Sequence, residues 1–435
     1  MIGEQLRVTD RTVNIMRNKA IKNGLWMYVL QAFNTIIPLI TLPYITRILG
    51  ASEYGRFSVS MNFVTYLQVI VEYGFAFSAT RKVVLEDEKN NLSQMFSAIV
   101  SSRLLLYILS IFIVAMYCFL LREPKENIIC LNVMSFNLIG YCFQSNWIFQ
   151  GKQDMKYITI ANVVARLFTT VGIFALVRSS EDVLAYCILY TFSPVVANMI
   201  GIIIIHKKYE IKWMWTPIRT IMETLKSGIY VFLTQFSAKV FGAIGVTFLG
   251  ILEGDYITGV YSALYKVPYL LLLAWNPVSQ VIYPISSKKM MENFVKGRAF
   301  IKRIQFICMI IWGVISLIVS FCAKAIVKLL FGREYIHYYY IIFPLLIWVL
   351  LGINNNFNGI QTLLGGGYDK EYNKAFQMGT FITILVNWLL ITKYGIIGAS
   401  FAPMLSELFF GFILSAKVYC LTKNNKRESS HNEEE

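Results

Sequence analysis

The stretch Leu104-Leu105-Leu106-Tyr107-Ile108-Leu109-Ser110-Ile111-Phe112-Ile113-Val114-Ala115-Met116-Tyr117-Cys118-Phe119-Leu120-Leu121 runs without a single charge. As a helix at about 1.5 Å per residue it reaches ~27 Å, close to the hydrocarbon thickness of a bilayer. Inside lipid the backbone can satisfy its own N–H and C=O groups only as a helix or a closed barrel, and this run has no period-two alternation. Outward from it the pattern repeats: Val183–Ile205 is another uncharged run. Similar apolar segments predict helices over 24–48, 57–79, 96–121, 127–149, 155–177, 183–205, 228–251, 256–284, 303–323, 338–362, 374–391 and 396–416. Hydrophobic residues make up 56% of 435 positions and charged residues 15%, with mean hydropathy +0.56. A soluble domain of that length needs far more charge on its surface. The chain is predicted to be an all-α integral membrane protein of about twelve transmembrane helices.

A net charge of +15 suggests nucleic acid in a soluble protein, but the cations here follow membrane topology. With a cytoplasmic amino terminus, and with cations at helix ends counted in the adjoining segments, 27 of the 40 Lys and Arg fall in cytoplasmic segments, nine in external ones and four well inside helices. That excess orients both termini inwards by the positive-inside rule and removes the need for a nucleic-acid partner. The apolar stretch after Arg17, Lys19 and Lys22 is too long for a signal-peptide core and is expected to remain as the first helix. The seven Cys lie in or beside apolar helices without ligand spacing, which reads as packing, and no metal site is expected.

Two echoes suggest a duplication. Leu49-Gly50 followed by Gly55-Arg56-Phe57-Ser58 matches Leu249-Gly250 followed by Gly259-Val260-Tyr261-Ser262. On the opposite face, Gly151-x-x-Asp154-x-x-Tyr157 matches Gly366-x-x-Asp369-x-x-Tyr372. Similar offsets fit a repeated six-helix unit, and an even helix number makes the repeats parallel, a known transporter plan. The expected organisation is a cytoplasmic amino-terminal segment 1–23, a first six-helix lobe 24–205, a cytoplasmic interfacial linker 206–227, a second six-helix lobe 228–416 and a polar cytoplasmic tail 417–435, the lobes surrounding a central cavity. Lys207, Lys208, Lys212, Trp213 and Trp215 mark the linker as interfacial chain or a short helix. From Lys423 on the tail is expected to lack fixed structure.

Catalytic equipment is sparse. No phosphate-binding loop of the G-x-x-x-x-G-K-[ST] kind and no His-Glu-x-x-His or G-x-S-x-G motif occurs. The run Gly365-Gly366-Gly367 reads as a turn before a phosphate cradle. Misplaced charge is more informative. Arg166, Lys239, Lys266 and Glu407 fall near the bilayer midplane, Arg103 and Glu72 nearer the cytoplasmic surface. A central charge costs at least roughly 2.5–3.5 kcal/mol, so it persists where it faces a cavity or a partner. Four cations against two anions suit an anionic cargo such as a diphosphate, with Arg166, Lys239, Lys266 and Arg103 as its candidate clamps. Glu407 and Glu72 are candidates for ion coupling or charge pairing, and Arg103 and Glu72 alternatively snorkel to the interface. Many of the Tyr and Phe form packing and interface belts, with stacking on sugar rings as the other reading.

The run Leu42-Pro43-Tyr44-Ile45-Thr46-Arg47-Ile48-Leu49-Gly50, then Tyr54-Gly55-Arg56-Phe57, resembles the opening of the bacterial polysaccharide flippases, which include O-antigen and capsule exporters. The resemblance continues through Ser78-Ala79-Thr80-Arg81, Trp147-Ile148-Phe149-Gln150-Gly151, Gly259-Val260-Tyr261-Ser262-Ala263 and Gly398-Ala399 with Glu407. It implies the fold of the multidrug/oligosaccharidyl-lipid/polysaccharide exporter superfamily, in the bacterial inner membrane. It further implies translocation of an undecaprenyl-diphosphate-linked oligosaccharide without a cofactor or an enzymatic step. The partners implied are that lipid-linked sugar, membrane lipids, and the downstream polymerase and chain-length machinery. Arg47, Arg81 and Glu407 carry over as motif members. Rival readings are a multidrug or cation antiporter of the same fold and a membrane polysaccharide polymerase.

Overall fold

With water excluded, each segment must close its own backbone hydrogen bonds, and the computed structural model is helical almost throughout. It describes the backbone of residues 2–86 and 88–431, and the side chains of 22–425 apart from 77, 78, 81, 85, 87 and 121. The helices are α1 (Ile2–Glu72), α2 (Phe75–Leu85), α3 (Lys89–Leu121), α4 (Lys125–Ser135), α5 (Asn137–Cys142), α6 (Asn146–Gly151), α7 (Met155–Leu176), α8 (Val183–Tyr209), α9 (Ile218–Leu252), α10 (Gly254–Glu292), α11 (Phe294–Leu330), α12 (Ile342–Asn356) and α13 (Asp369–His431).

Among the described residues, ten stretches are long and apolar enough to cross a membrane. Two of them, Lys22–Glu72 and Asp369–Asn425, have 51 and 57 residues, about twice one crossing. Each breaks at a glycine: Gly50 (φ 71, ψ 176) in α1 and Gly395 (φ 54, ψ −129) in α13. Both values lie in territory that L side chains avoid. Divided there, the ten stretches approach the expected number of about twelve segments of crossing length.

Four elements differ from the sequence expectation. The helix expected over 127–149 is three pieces, α4, α5 and α6. α5 closes on α8 at Gly140, where a Cβ would stand 2.9 Å from Val195 N and 3.0 Å from Pro194 C. The helix expected over 338–362 opens as a 3₁₀ turn (Ile336–Ile341) and ends as a π-helix (Phe357–Leu364). Of the linker, only residues 210–217 are non-helical, because α8 runs to Tyr209 and α9 starts at Ile218. The tail backbone is helical to His431, where none was expected; residues 432–435 lie outside the described set.

The chain divides into two units, Met1–Leu49 with Ser60–Phe236, and Gly50–Val59 with Ser237–Glu435. Within each unit an apolar core is accompanied by an apolar exterior. Large apolar side chains such as Phe112 and Phe119 on α3, and Phe306, Phe321 and Leu329 on α11, are exposed as a lipid-facing surface requires. Polar side chains are inside, among them Ser97, Ser102, Arg103, Asn355, Gln361 and Thr362. Of the cysteines, Cys130, Cys142, Cys187 and Cys308 are buried, but Cys322 and Cys420 are exposed rather than packed.

The two copies of the first echo meet. A Cβ on Gly55 would stand 1.7 Å from Asp255 O, and one on Gly259 1.9 Å from Ala51 O. The segments around these glycines touch backbone to backbone, which only residues without side chains permit. The second echo opens a helix twice, α7 after Asp154 and α13 at Asp369. Asp154 accepts from Tyr209 Oη at 2.5 Å and pairs with Lys208, whereas Tyr372 packs against Gly359, where a Cβ would meet its ring at 2.7 Å.

Candidate functional site

In the first unit the candidate charges form one neighbourhood. Arg103 on α3 is only 1% exposed. Its Nη1 donates to the carbonyl of Gln144, in the irregular stretch between α5 and α6. Its guanidinium lies 5.9 Å from the Phe75 ring centroid. The remaining Nε and Nη2 are buried and find no acceptor among the described residues. Arg103 therefore does not snorkel to the surface; it braces a helix break. Glu72, half-buried and accepting from Gln68 Nε2 at 3.0 Å, is the carboxylate whose charge acts on Arg103. Glu72 acts on Tyr141 as well, and so does Arg166 from α7. Arg166 also acts on Tyr190. It is half-buried, and its guanidinium donates no hydrogen bond among the described residues. Arg103, Glu72, Tyr141, Arg166 and Tyr190 thus make a chain of mutually interacting groups contributed by α1, α3, α5, α7 and α8.

In the second unit Lys239 on α9 and Lys266 on α10 are near enough for one charge to oppose the other. Lys266 is exposed, lies 5.8 Å from the Tyr269 ring centroid and makes no ion pair among the described residues. Beside it runs an aromatic ladder at i, i+4 spacing on α10: Tyr261 to Tyr265 is 5.7 Å between centroids and Tyr265 to Tyr269 is 5.8 Å. Trp348 of α12 closes on Tyr265 at 5.1 Å. One ammonium near the Tyr269 ring, with a second cation within electrostatic reach, presents cation and π-face together, a combination suited to an anion carrying sugar rings.

Glu407 on α13 is 9% exposed. Among the described residues it has no cationic partner; its carboxylate accepts from Asn355 Nδ2 at 2.6 Å, and the same amide donates to its backbone carbonyl at 2.7 Å. Its charge acts on Tyr265 and on Tyr372.

A buried polar seam lies around the π-helix. Arg298, between the helices expected over 256–284 and 303–323, is 9% exposed inside α11. It donates to Thr362 Oγ1 at 2.9 Å and Asn358 Oδ1 at 2.7 Å. Gln361 accepts from Ser286 Oγ at 2.6 Å and donates to Ser279 O at 3.0 Å. The π register widens the backbone and turns these side chains towards α10 and α11, and such bulges cluster at functional positions. The available signal was Asn354-Asn355-Asn356 with Asn358 at the end of an otherwise apolar helix. The amides of Gly365, Gly366 and Gly367 all donate to carbonyls of residues 360–364, so this run is a turn.

The two motif arginines lie elsewhere. Arg47 is exposed on α1, three residues before the Gly50 break. Arg81 lies on α2, and its side chain is outside the described residues.

A family model described as polysaccharide biosynthesis protein matches residues 20–290. The chain is 26% identical over 409 residues to a putative O-antigen transporter of Escherichia coli strain K12, covering 93% of this chain and 97% of that one. It is 24% identical over 399 residues to the capsular polysaccharide biosynthesis protein CapF of Staphylococcus aureus, covering 89% and 96%. Among solved structures, an inward-facing multidrug resistance MATE family transporter of the MOP superfamily aligns with TM-score 0.72 at 13% identity, over 93% of this chain and 99% of that one. The lipid II flippase MurJ in an inward closed conformation aligns with TM-score 0.70 at 13% identity, over 92% and 87%. The lobed transporter fold is common to all three. With the family match spanning more than half of its length and these charged and aromatic clusters held within apolar helices, the chain belongs to the polysaccharide biosynthesis protein family of multi-pass membrane proteins.

Proposed function

We propose that this chain is a flippase that carries undecaprenyl-diphosphate-linked oligosaccharide repeat units from the cytoplasmic to the outer leaflet of a bacterial inner membrane, for O-antigen or capsule assembly. Both termini lie in the cytoplasm in this reading, supported by the threefold excess of Lys and Arg on that side. The observation that carries the proposal is the closeness of Lys239 and Lys266. Two like charges repel one another, and a bound diphosphate offsets that repulsion. Arg166, half-buried within the first unit, is a separate candidate cation for the same cargo. The ladder from Tyr261 to Tyr269, with Trp348, offers faces for sugar rings. Arg103, buried and committed to Gln144, acts by positioning rather than by touching cargo.

No bond is made or broken in this reading, so the chain is a transporter rather than an enzyme. Alternating access requires only that cargo bind both states and shift their populations. Direction comes from an ion gradient, with Glu407 or Glu72 as the carrier, or from consumption of the product by a polymerase and its chain-length partners.

The test is deletion of the gene in its host, with lipid-linked oligosaccharide assayed by leaflet and surface polysaccharide scored in parallel. Repeat units trapped on the cytoplasmic face, with surface polymer lost, are expected. Single units reaching the outer leaflet without polymerising would identify a polymerase instead. Complementation with Lys239→Ala, Lys266→Ala and Arg166→Ala tests the clamp. If all three restore export fully, the diphosphate assignment is wrong.

A further inference from the structure

A cavity of about 250 Å³ opens in the first unit between α2, α3 and the first turns of α9. One wall is apolar, made by Phe75, Ala79, Met95, Ala98 and Ile99. The other is polar, made by Lys82 and by Thr220, Glu223, Thr224 and Ser227 at successive turns of α9. The polar groups divide into donors and acceptors. Lys82 is exposed and makes no ion pair among the described residues, and Thr220 lines the same cavity. Thr224 and Ser227 already donate to carbonyls of their own helix, at 2.7 and 2.8 Å, and so present oxygen acceptors. The Glu223 carboxylate accepts from Arg219 Nε at 3.0 Å, an exposed pair that offsets part of its repulsion for an anion.

The chain leading into this wall is built for an interface. Residues 210–217 expose Trp213 and Trp215, the latter 85% exposed, and the first turns of α9 expose Ile218 and Met222. Backbone N–H groups of Lys212 and Met214 donate to Ser93 and Ser97 Oγ at 3.1 and 2.7 Å, which fastens this chain to α3. Exposed Trp beside Lys207, Lys208, Lys212 and Lys226 is the composition of headgroup depth on an anionic leaflet.

We propose that this cavity binds an anionic phospholipid with a hydroxylated headgroup, drawn from the leaflet that the Lys and Arg distribution marks as cytoplasmic. The lipid phosphate lies between Lys82 and Thr220, the headgroup hydroxyls donate to Thr224 and Ser227, and the glyceryl and first acyl carbons cover the apolar wall. The volume admits a headgroup and falls just below the ~300–1,000 Å³ of pockets that enclose a whole drug-sized ligand. The site is separate from the cations assigned to cargo and does not depend on that assignment.

The experiment is lipid retention by the purified full-length chain, read by native mass spectrometry after exchange into phosphatidylglycerol or phosphatidylcholine. Wild type is expected to retain phosphatidylglycerol selectively. Lys82→Glu, which reverses the anchoring charge, and Ser227→Trp, which fills the rim, are each expected to lower that retention about tenfold. Lys82→Arg is expected to preserve it. Ser227→Trp carries the test if Lys82→Glu fails to accumulate. Equal retention of the two lipids, or wild-type retention in both lowering variants, would overturn the proposal. Displacement of the lipid by millimolar inorganic phosphate would make this a free-anion site and overturn the lipid assignment.

Discussion

Asn355 holds Glu407 by both ends of the residue, donating one amide group to the carboxylate at 2.6 Å and to the backbone carbonyl at 2.7 Å. The second contact fixes the amide even when the first changes. Asn355→Leu removes both and leaves a buried carboxylate without a donor. It is expected to cost about 1–2 kcal/mol, typical of an interhelical hydrogen bond in a membrane protein. Glu407→Gln keeps an accepting oxygen and is expected to cost less than half of that. Thermal unfolding of the two variants in one detergent checks the order; equal losses would show that the amide holds the backbone alone.

Gly55 and Gly259 decide how closely the two echo segments pack. An alanine at either site would bring its Cβ within 2 Å of a backbone carbonyl oxygen. The clash is with backbone, so no side-chain rotation relieves it. Gly55→Ala and Gly259→Ala are each expected to abolish a monodisperse peak in fluorescence-detected size exclusion. Gly313→Ala, where nothing lies within 4 Å of the new carbon, is expected to behave as wild type.

Arg298 joins α11 to the π-helix through Thr362 and Asn358. Hydrogen bonds from a charged donor are worth about 1.5–3 kcal/mol where the partner would otherwise be buried alone. Arg298→Ala is expected to destabilise by about 2–3 kcal/mol on that scale. Because the two sites share one contact, Arg298→Ala combined with Asn358→Leu is expected to cost less than the sum of the single changes. Additive losses would mean that the two side chains stabilise the unit independently.

Outside the apolar spans, Lys89 Nζ lies 2.8 Å from Glu210, and this ammonium holds the Glu210 carboxyl below its usual range. A carboxyl depressed on folding contributes stability above its unfolded value, about pH 4.3, and loses it as pH falls through the folded value. Wild type and Glu210→Gln are therefore expected to show a constant difference in unfolding temperature from pH 6 to 8. The difference should shrink below about pH 4. Both groups are mostly exposed, so 0.5 M salt is expected to shrink it at every pH.

Much of the fold could be read before any coordinates. Eighteen-residue apolar runs can do little but cross a membrane, and glycine in the short loops at Gly50 and Gly395 marks where two long helices turn. The splitting of the expected fourth helix could not be read. Nothing in Asn127–Phe149 is locally unfavourable enough to break a helix, and α5 owes its place to the fit of Gly140 against Pro194 on α8. Arg298 escaped notice for a similar reason, since its local sequence resembles any basic loop and only the fold brings Thr362 and Asn358 to it.

The sequence by itself determined the solvent, the helical character and the sign of the charges buried in the spans, because each follows from the cost of placing one residue or one peptide group in lipid. Tertiary structure alone decided which of those charges are neighbours. Arg103 became a brace, Lys239 and Lys266 a pair and Glu407 a carboxylate held by an amide, because partners some 27 to 52 residues distant are set by packing geometry that no local stretch encodes.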